Sequence, residues 1–291
     1  MSSRAFGCYE ETDLAVAWAR AFWQMRQTHG KEISPFALSI TVPSGITLPD
    51  SLEHPLVRAL DRCLREDDYQ PVEMVAFTIF PDRIWKLCEG ERRTLYREAM
   101  LSLRTFAKWE PTRNRGGMYF GRLFGFGIDH KTGTNLGYEP TKALDADGNQ
   151  VEHIIRQLTL SVQEGRSVAR MQLQAATFDP FRDLTTSAQP CFPCMQHIAF
   201  NTDIERRALE LSAFNATQQL YVKAYGNWLG LCRLGMFIAD QAGLTLTRFT
   251  CFAGVQKMDK APKHESARAA LIREAKRTAN LTACKEVLTN G

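Results

Sequence analysis

The stretch Leu209–Phe252, LELSAFNATQQLYVKAYGNWLGLCRLGMFIADQAGLTLTRFTCF, decides the fold. Leu209, Leu211 and Ala213 alternate with Glu210 and Ser212, the period-two pattern of a half-buried strand. Trp228 to Ala242 is apolar on nearly every face, which predicts a buried helix, and Gly243 is placed to end it. Leu244, Leu246 and Phe249 to Phe252 predict a further strand.

Working toward the N-terminus, Met171, Leu173 and Ala175 alternate with Gln172 and Gln174, which predicts a strand. Val151, Ile154, Ile155, Leu158 and Val162 form a helical stripe, and residues 129–150, rich in Asp, Gly, Thr and Asn, read as a long surface loop. Asn114 to Gly127, NRGGMYFGRLFGFG, carries five glycines without the spacing of a P-loop or a dinucleotide fingerprint. It reads as turns with close backbone packing.

Helices are predicted through Leu95, Ala99, Leu103 and Phe106, through Leu56, Val57, Leu60, Cys63 and Leu64, and from Asp13 to His29, ahead of Gly30. Phe36 to Val42 predicts a strand, and Val72 to Phe80 is open between helix and strand. Pro262 to Leu288 reads as a polar, basic helical tail. Helices and strands mix without strict βαβ alternation, which favours an α+β layered fold.

Composition agrees with a globular chain. The 291 residues are 44% hydrophobic and 23% charged, with 17 Phe, 7 Tyr and 5 Trp to fill a core. No apolar run is long enough for a membrane span, and no secretory signal is visible, so a cytoplasmic setting is expected. The net charge of +4 lies in the tail from Lys260, with seven basic residues against three acidic, so no nucleic-acid-binding surface is expected elsewhere. The 8 cysteines are expected as reduced thiols.

The segment Gln189 to Phe200, QPCFPCMQHIAF, carries the chemistry. Its Cys191 and Cys194 admit three readings. A zinc site needs about four ligands, and beyond His197 none is evident, so no metal is expected. A dithiol redox pair is open, although thioredoxin-like motifs sit in a different context. A single nucleophilic thiol needs a thiolate in a partly exposed loop. The bland alternative is packing of both sulfurs.

Pro190-Cys191 with Gln196 five residues on resembles the nucleophile segment of thymidylate synthases and pyrimidine hydroxymethylases. Leu209 to Asn215 resembles that family's next strand. Asn227, followed by a helix ending in Gln241-Ala242-Gly243-Leu244, resembles its base-reading asparagine and following helix. Phe249 to Gly254, FTCFAG, is similar to the next strand and glycine turn, and Gly165 to Ala176 sits where the family has an arginine-bearing strand. The resemblance is clearest over residues 115–259.

That resemblance implies a thymidylate-synthase-like mixed sheet with helices packed on one face and the sheet back forming a homodimer interface. It implies one domain over residues 1–259, followed by the tail over 260–291. It implies Cys191 as the nucleophile and Glu73, in VEMVAF, as the catalytic glutamate. Asn227, Gln196, Arg170 and Lys257 would bind substrate, with Arg170 the residue to cross the dimer. Without the resemblance, Asn227 reads as an N-cap ahead of Trp228, Gln196 as a strand residue, and Glu73 and Lys257 as surface charges. The implied reaction is folate-dependent methyl or hydroxymethyl transfer to C5 of a uracil-like pyrimidine, with 5,10-methylenetetrahydrofolate as the carbon donor.

The pattern departs from the family at the phosphate grip. Its Arg-Arg pair is Ala169-Arg170 here, and its Arg-Ser is Ala216-Thr217. Guanidinium contacts are a main source of phosphate affinity, so the departures imply an atypical substrate with a reduced phosphate-binding site. The alternative is a catalytically inactive relative that binds a ligand or a protein partner.

Overall fold

The computed structural model describes residues 5–42, 51–109, 117–184, 186, 193–258 and 260–280. In chain order the elements are β1 (Ala5–Glu11), α1 (Leu14–Gln27), β2 (Glu32–Thr41), α2 (Pro55–Glu66), α3 (Val72–Phe77), α4 (Asp82–Leu87), α5 (Arg92–Trp109), α6 (Tyr119–Phe124), α7 (Gln150–Glu164), β3 (Gln174–Ala176), α8 (Pro180–Asp183), β4 (Met195–Asp203), β5 (Ala208–Gln219), α9 (Tyr225–Gln241), β6 (Thr245–Lys257) and α10 (Glu265–Thr278). The strands form one sheet in the order β1-β2-β6-β5-β4-β3. It is mixed, because β2 pairs parallel with β1 and antiparallel with β6. The fold is α+β.

Backbone contacts divide the chain into a first unit, Met1–Ala76, Asn215–Leu229 and Thr247–Gly291, and a second, Phe77–Phe214 and Gly230–Leu246. In the first unit, Asp13 caps α1 by accepting the Ala15 and Val16 amides. The apolar stripe of α1 is buried through Trp18, Phe22 and Met25. The Trp18 indole donates to the Leu220 carbonyl at 3.0 Å, and Phe36 of β2 stacks on Trp228 with centroids 5.9 Å apart. α10 packs on α1 and α2 through Ala267, Leu271 and Ala275. The helix over the tail therefore buries an apolar stripe of its own.

The strands of this unit share one irregularity. Strict alternation along β5 buries Leu209, Leu211, Ala213 and Asn215, then slips so that Gln218 is the next residue turned inward. Along β6 it buries Phe249, Cys251 and Ala253, then slips to Gln256. β2 has the same slip between Ile33 and Phe36. The slips are coupled across strands: the Ser34 hydroxyl donates to the Gly254 carbonyl at 2.9 Å. A Cβ on Gly254 would stand 2.8 Å from the Ala216 carbonyl oxygen. These breaks in the alternation turn two glutamines into the core.

In the second unit, Phe80 and Trp85 pack on Phe237 at centroid distances of 4.9 Å. α7 is capped by Asn149, whose side chain accepts the Glu152 amide, and ends at Gly165 with φ 63°. Arg122 of α6 is buried and forms a two-pronged ion pair with Asp183, with a further bond to the Thr177 carbonyl at 2.8 Å. A lone bridge, Ile128 to Asn135, interrupts the long surface loop.

Three local expectations change. The ambiguous Val72 segment is helical. The glycine-rich stretch holds α6, because Tyr119 to Phe124 contains a single glycine and buries Phe120, Leu123 and Phe124. The strand expected from Met171 is a 3-10 turn over Arg170–Gln172 followed by the short β3. Leu173 and Ala175 are buried as the alternation requires, but Met171 is 86% exposed.

Candidate functional site

The first unit holds two of the expected residues, Asn227 and Glu73, on helices that pack against each other. α9 begins at Tyr225, after a five-residue π turn over Leu220–Ala224. Asn227 therefore lies inside the helix, and the reading of it as an N-cap is corrected. At the preceding position, a Cβ on Gly226 would lie 2.5 Å from the Val75 Cβ and 2.8 Å from the Val72 carbonyl oxygen. Only glycine allows this approach, and it sets α3 directly against the start of α9. Glu73 stands in the first turn of α3.

The N-terminus of α3 is held by Asp61 of α2, whose Oδ1 accepts the Val72 amide at 2.8 Å. Burial pushes the Asp61 carboxyl above its ordinary range, the Val72 bond and Arg65 pull it down, and the Glu73 carboxylate pushes it up. Glu73 is half-buried and engaged with neighbours. Asn227 is 5% exposed.

Behind Asn227 lies a polar interior that the sequence reading did not single out. Trp228 donates its indole N–H to Gln218 Oε1 at 3.0 Å, and Asn215 Nδ2 donates to Cys251 Sγ at 3.2 Å. Burial pushes the Cys251 thiol up to about 12, with the Trp228 and Asn215 contacts opposing it, so this sulfur is an inert thiol. Asn215 Oδ1, Gln218 Nε2 and both amide atoms of Gln256 are buried without partners. The one available signal was the run of amides in NATQQ. Period-two reading sends Gln218 and Gln256 outward, and only the strand slips turn them in.

The remaining expected residues are placed as follows. Lys257, at the end of β6, has its Nζ 3.5 Å from Glu32 Oε1. In the second unit, Gln196 is half-buried on β4, and its carbonyl accepts the Thr177 and Phe178 amides at 2.9 and 3.3 Å. Arg170 is exposed, and its Nε donates to Asn201 Oδ1 at 3.0 Å. Cys191 lies outside the described residues. Cys194 is half-exposed. Just after it, the Met195 amide donates to the Tyr119 hydroxyl at 3.4 Å. Burial first and Cys194 second push that phenol up, so it is protonated at neutral pH.

The second unit also carries a cleft of about 520 Å³ lined by Arg92, Arg93, Tyr96, Glu152 and Arg156. Arg92 grips both oxygens of Glu152 at 2.9 and 3.0 Å, and the Tyr96 hydroxyl donates to the same carboxylate at 2.9 Å. Burial pushes Glu152 up, but these bonds hold it below the usual carboxylate range. Among the described residues no cluster of three or more His, Cys, Asp or Glu is arranged to hold a metal ion. No helix of the described residues is long and apolar enough to cross a membrane.

No protein-family model matches the chain, and no curated protein matches it.

Proposed function

We propose that the chain is a folate-dependent one-carbon transferase, of the thymidylate synthase and pyrimidine hydroxymethylase kind, acting at C5 of a uracil-like pyrimidine. The observation that carries the reading is Asn227: a nearly buried amide in the first turn of α9, which packs against the helix that bears Glu73. One amide presents both a donor and an acceptor, which matches the edge of a uracil-like ring.

In this reading Cys191, as the thiolate, adds to C6 of the ring, and the electron pair moves to C5. C5 bonds to the methylene carbon of 5,10-methylenetetrahydrofolate, a second substrate consumed in each turnover, as the bond from that carbon to N10 breaks. Loss of the C5 proton then expels the folate N5 and leaves an exocyclic methylene on the ring. Hydride from the tetrahydrofolate, which becomes dihydrofolate, or water adds to that methylene, and the electron pair returning to the ring expels the Cys191 sulfur, restores the ring double bond and leaves a methyl or a hydroxymethyl on C5. Glu73 serves proton movement, and Gln196, Arg170 and Lys257 bind the remainder of the substrate.

A homodimer belongs to the same proposal. On the outer face of the first unit's strands, Cys8, Ala37 and Phe252 sit side by side across β1, β2 and β6. Phe252 is 38% exposed and the nearby Phe6 61%. An apolar row on a sheet face is suited to a second copy of the same face.

The test is to incubate the chain with uracil-like pyrimidines and methylene folate and look for a product that has gained one carbon. Formation by the wild type and not by Cys191→Ser supports the reading. Pyrimidine and folate binding without product favours the inactive, ligand-binding alternative, whose motive is the loss of arginines at Ala169 and Ala216.

A further inference from the structure

We propose that the cleft of the second unit binds a small zwitterion of the α-amino-acid class, its carboxylate on Arg93 and Arg156 and its ammonium on Asp145 and Glu91. The inference stands apart from the pyrimidine reading, none of whose residues lines the cleft. At about 520 Å³ the cleft falls within the range of small-molecule sites. Its lining carries both signs of charge, Arg92, Arg93 and Arg156 against Glu91, Asp145 and Glu152. That balance argues against a ligand that is only an anion or only a cation, since either would meet charge of its own sign.

One ion pair of the lining is already complete. Arg92 grips both oxygens of Glu152, Tyr96 donates to the same carboxylate, and Arg92 Nη1 donates to Gln241 Oε1 at 3.1 Å. The two charges cancel and form a fixed wall. Asn149, 4% exposed, ties that wall to the loop before α7. Its Oδ1 accepts the Glu152 amide at 2.9 Å, and its own amide donates to Asp145 Oδ1 at 2.8 Å. Asp145 is thereby held in place, with Oδ2 remaining as an acceptor. Arg156 lies one turn beyond Glu152 on α7. Its Nη2 donates to the Ala143 carbonyl at 3.2 Å, which steadies the side chain and leaves the rest of its donor fork. Charges fixed in advance cost a ligand less ordering on binding.

The placement of the arginines points the same way. The first turn of α5 carries Arg92 and Arg93 and no acid. Cations at that end of a helix oppose its dipole. Glu152 offsets Arg92, and a ligand carboxylate offsets Arg93, since a planar guanidinium takes a carboxylate with two parallel bonds. An ammonium is donor-only and needs acceptors. Asp145 and Glu91 are the lining carboxylates that Arg92 does not occupy.

Saturation-transfer difference NMR of the full chain with the pooled standard amino acids picks out the tightest binder. Isothermal titration then compares that amino acid with its N-acetyl and methyl-ester derivatives, each of which lacks one charge. At least one amino acid is expected to bind, and each derivative to bind at least about tenfold more weakly. Arg156→Gln and Asp145→Asn are expected to weaken the parent amino acid by a similar factor, with an unchanged melting temperature as the check on folding. Asparagine keeps an Oδ1 acceptor for the Asn149 amide, so that exchange removes the charge alone. No binder in the pool overturns the proposal. A derivative as tight as the parent overturns the zwitterion. Unaltered binding by both folded variants overturns the cleft as the site. If Arg156→Gln does not fold, Arg93→Gln, at an exposed position, takes its place.

Discussion

At Gly226 two effects oppose each other. Alanine is the better helix former by about 1 kcal/mol, but its methyl would stand 2.5 Å from the Val75 Cβ and 2.8 Å from a backbone carbonyl. Neither neighbour is the flexible end of a side chain, so overpacking, at about 1–3 kcal/mol, wins. Gly226→Ala is expected to lower the chemical-denaturation midpoint and to displace α3, reducing turnover more than Glu73→Gln alters stability. A variant as stable and active as wild type would remove the claim that this approach positions Glu73.

His130 gives a second residue-level expectation. Burial, and secondarily the positive charge of Arg122, lowers its pKa from 6.5 to about 4. The unfolded imidazole takes up a proton below about pH 6.5 and the folded one does not. Stability is thus complete above pH 6.5 and falls as pH drops toward 4, with a slope of at most about 1.4 kcal/mol per pH unit. Between pH 6.5 and pH 5 the loss from this group is about 1.6 kcal/mol. Urea titrations at the two pH values are expected to show that loss in wild type and a smaller one in His130→Gln.

Among the elements, α10 is the one whose attachment is most open to test. Asp67, at the end of α2, accepts the Tyr221 hydroxyl at 2.8 Å and the Lys263 amide at 3.2 and 3.3 Å. It thereby fixes the chain that leads into α10. Asp67→Ala leaves the buried Tyr221 hydroxyl without a partner, at about 1–3 kcal/mol, and releases the Lys263 amide. Leu271→Ala empties a fully buried site on α10, at about 2–5 kcal/mol. Hydrogen exchange is expected to accelerate over residues 260–278 in both variants. Equal protection in variant and wild type would mean that α10 is held by something else.

The elements also show what the sequence could and could not reveal. α1, α2, α7 and α9 were legible because each buries a continuous apolar stripe, so hydrophobic period and helix coincide. α6 was hidden because five glycines in the surrounding stretch mask its short run of buried aromatics. Met171 misled because alternation cannot distinguish a strand from a turn that enters one. Of the candidate site residues, Asn227 and Glu73 were singled out by resemblance alone, and the close approach of their two helices at Gly226 is a packing fact with no local signature. Gln218 and Gln256 were not legible, because β5 and β6 break their alternation just before them and no local run of residues announces the break.

For the whole molecule, the apolar row of Cys8, Ala37 and Phe252 predicts self-association. Phe252→Glu places a charge at one end of that row, and analytical ultracentrifugation is expected to show a dimer for wild type and a dissociation constant raised at least about tenfold for the variant, since burying an unpaired charge is costly. A wild-type monomer at micromolar concentration would contradict the back-to-back arrangement without touching the chemistry at Cys191. The chemistry has its own direct measurement. Methylene folate labelled with ¹³C at the transferred carbon is incubated with the chain and deoxyuridine, and the products are read by NMR. The account predicts the label on C5 of the pyrimidine with wild type and none with Cys191→Ser. Label that stays on the folate with wild type, or reaches C5 equally with both proteins, contradicts it.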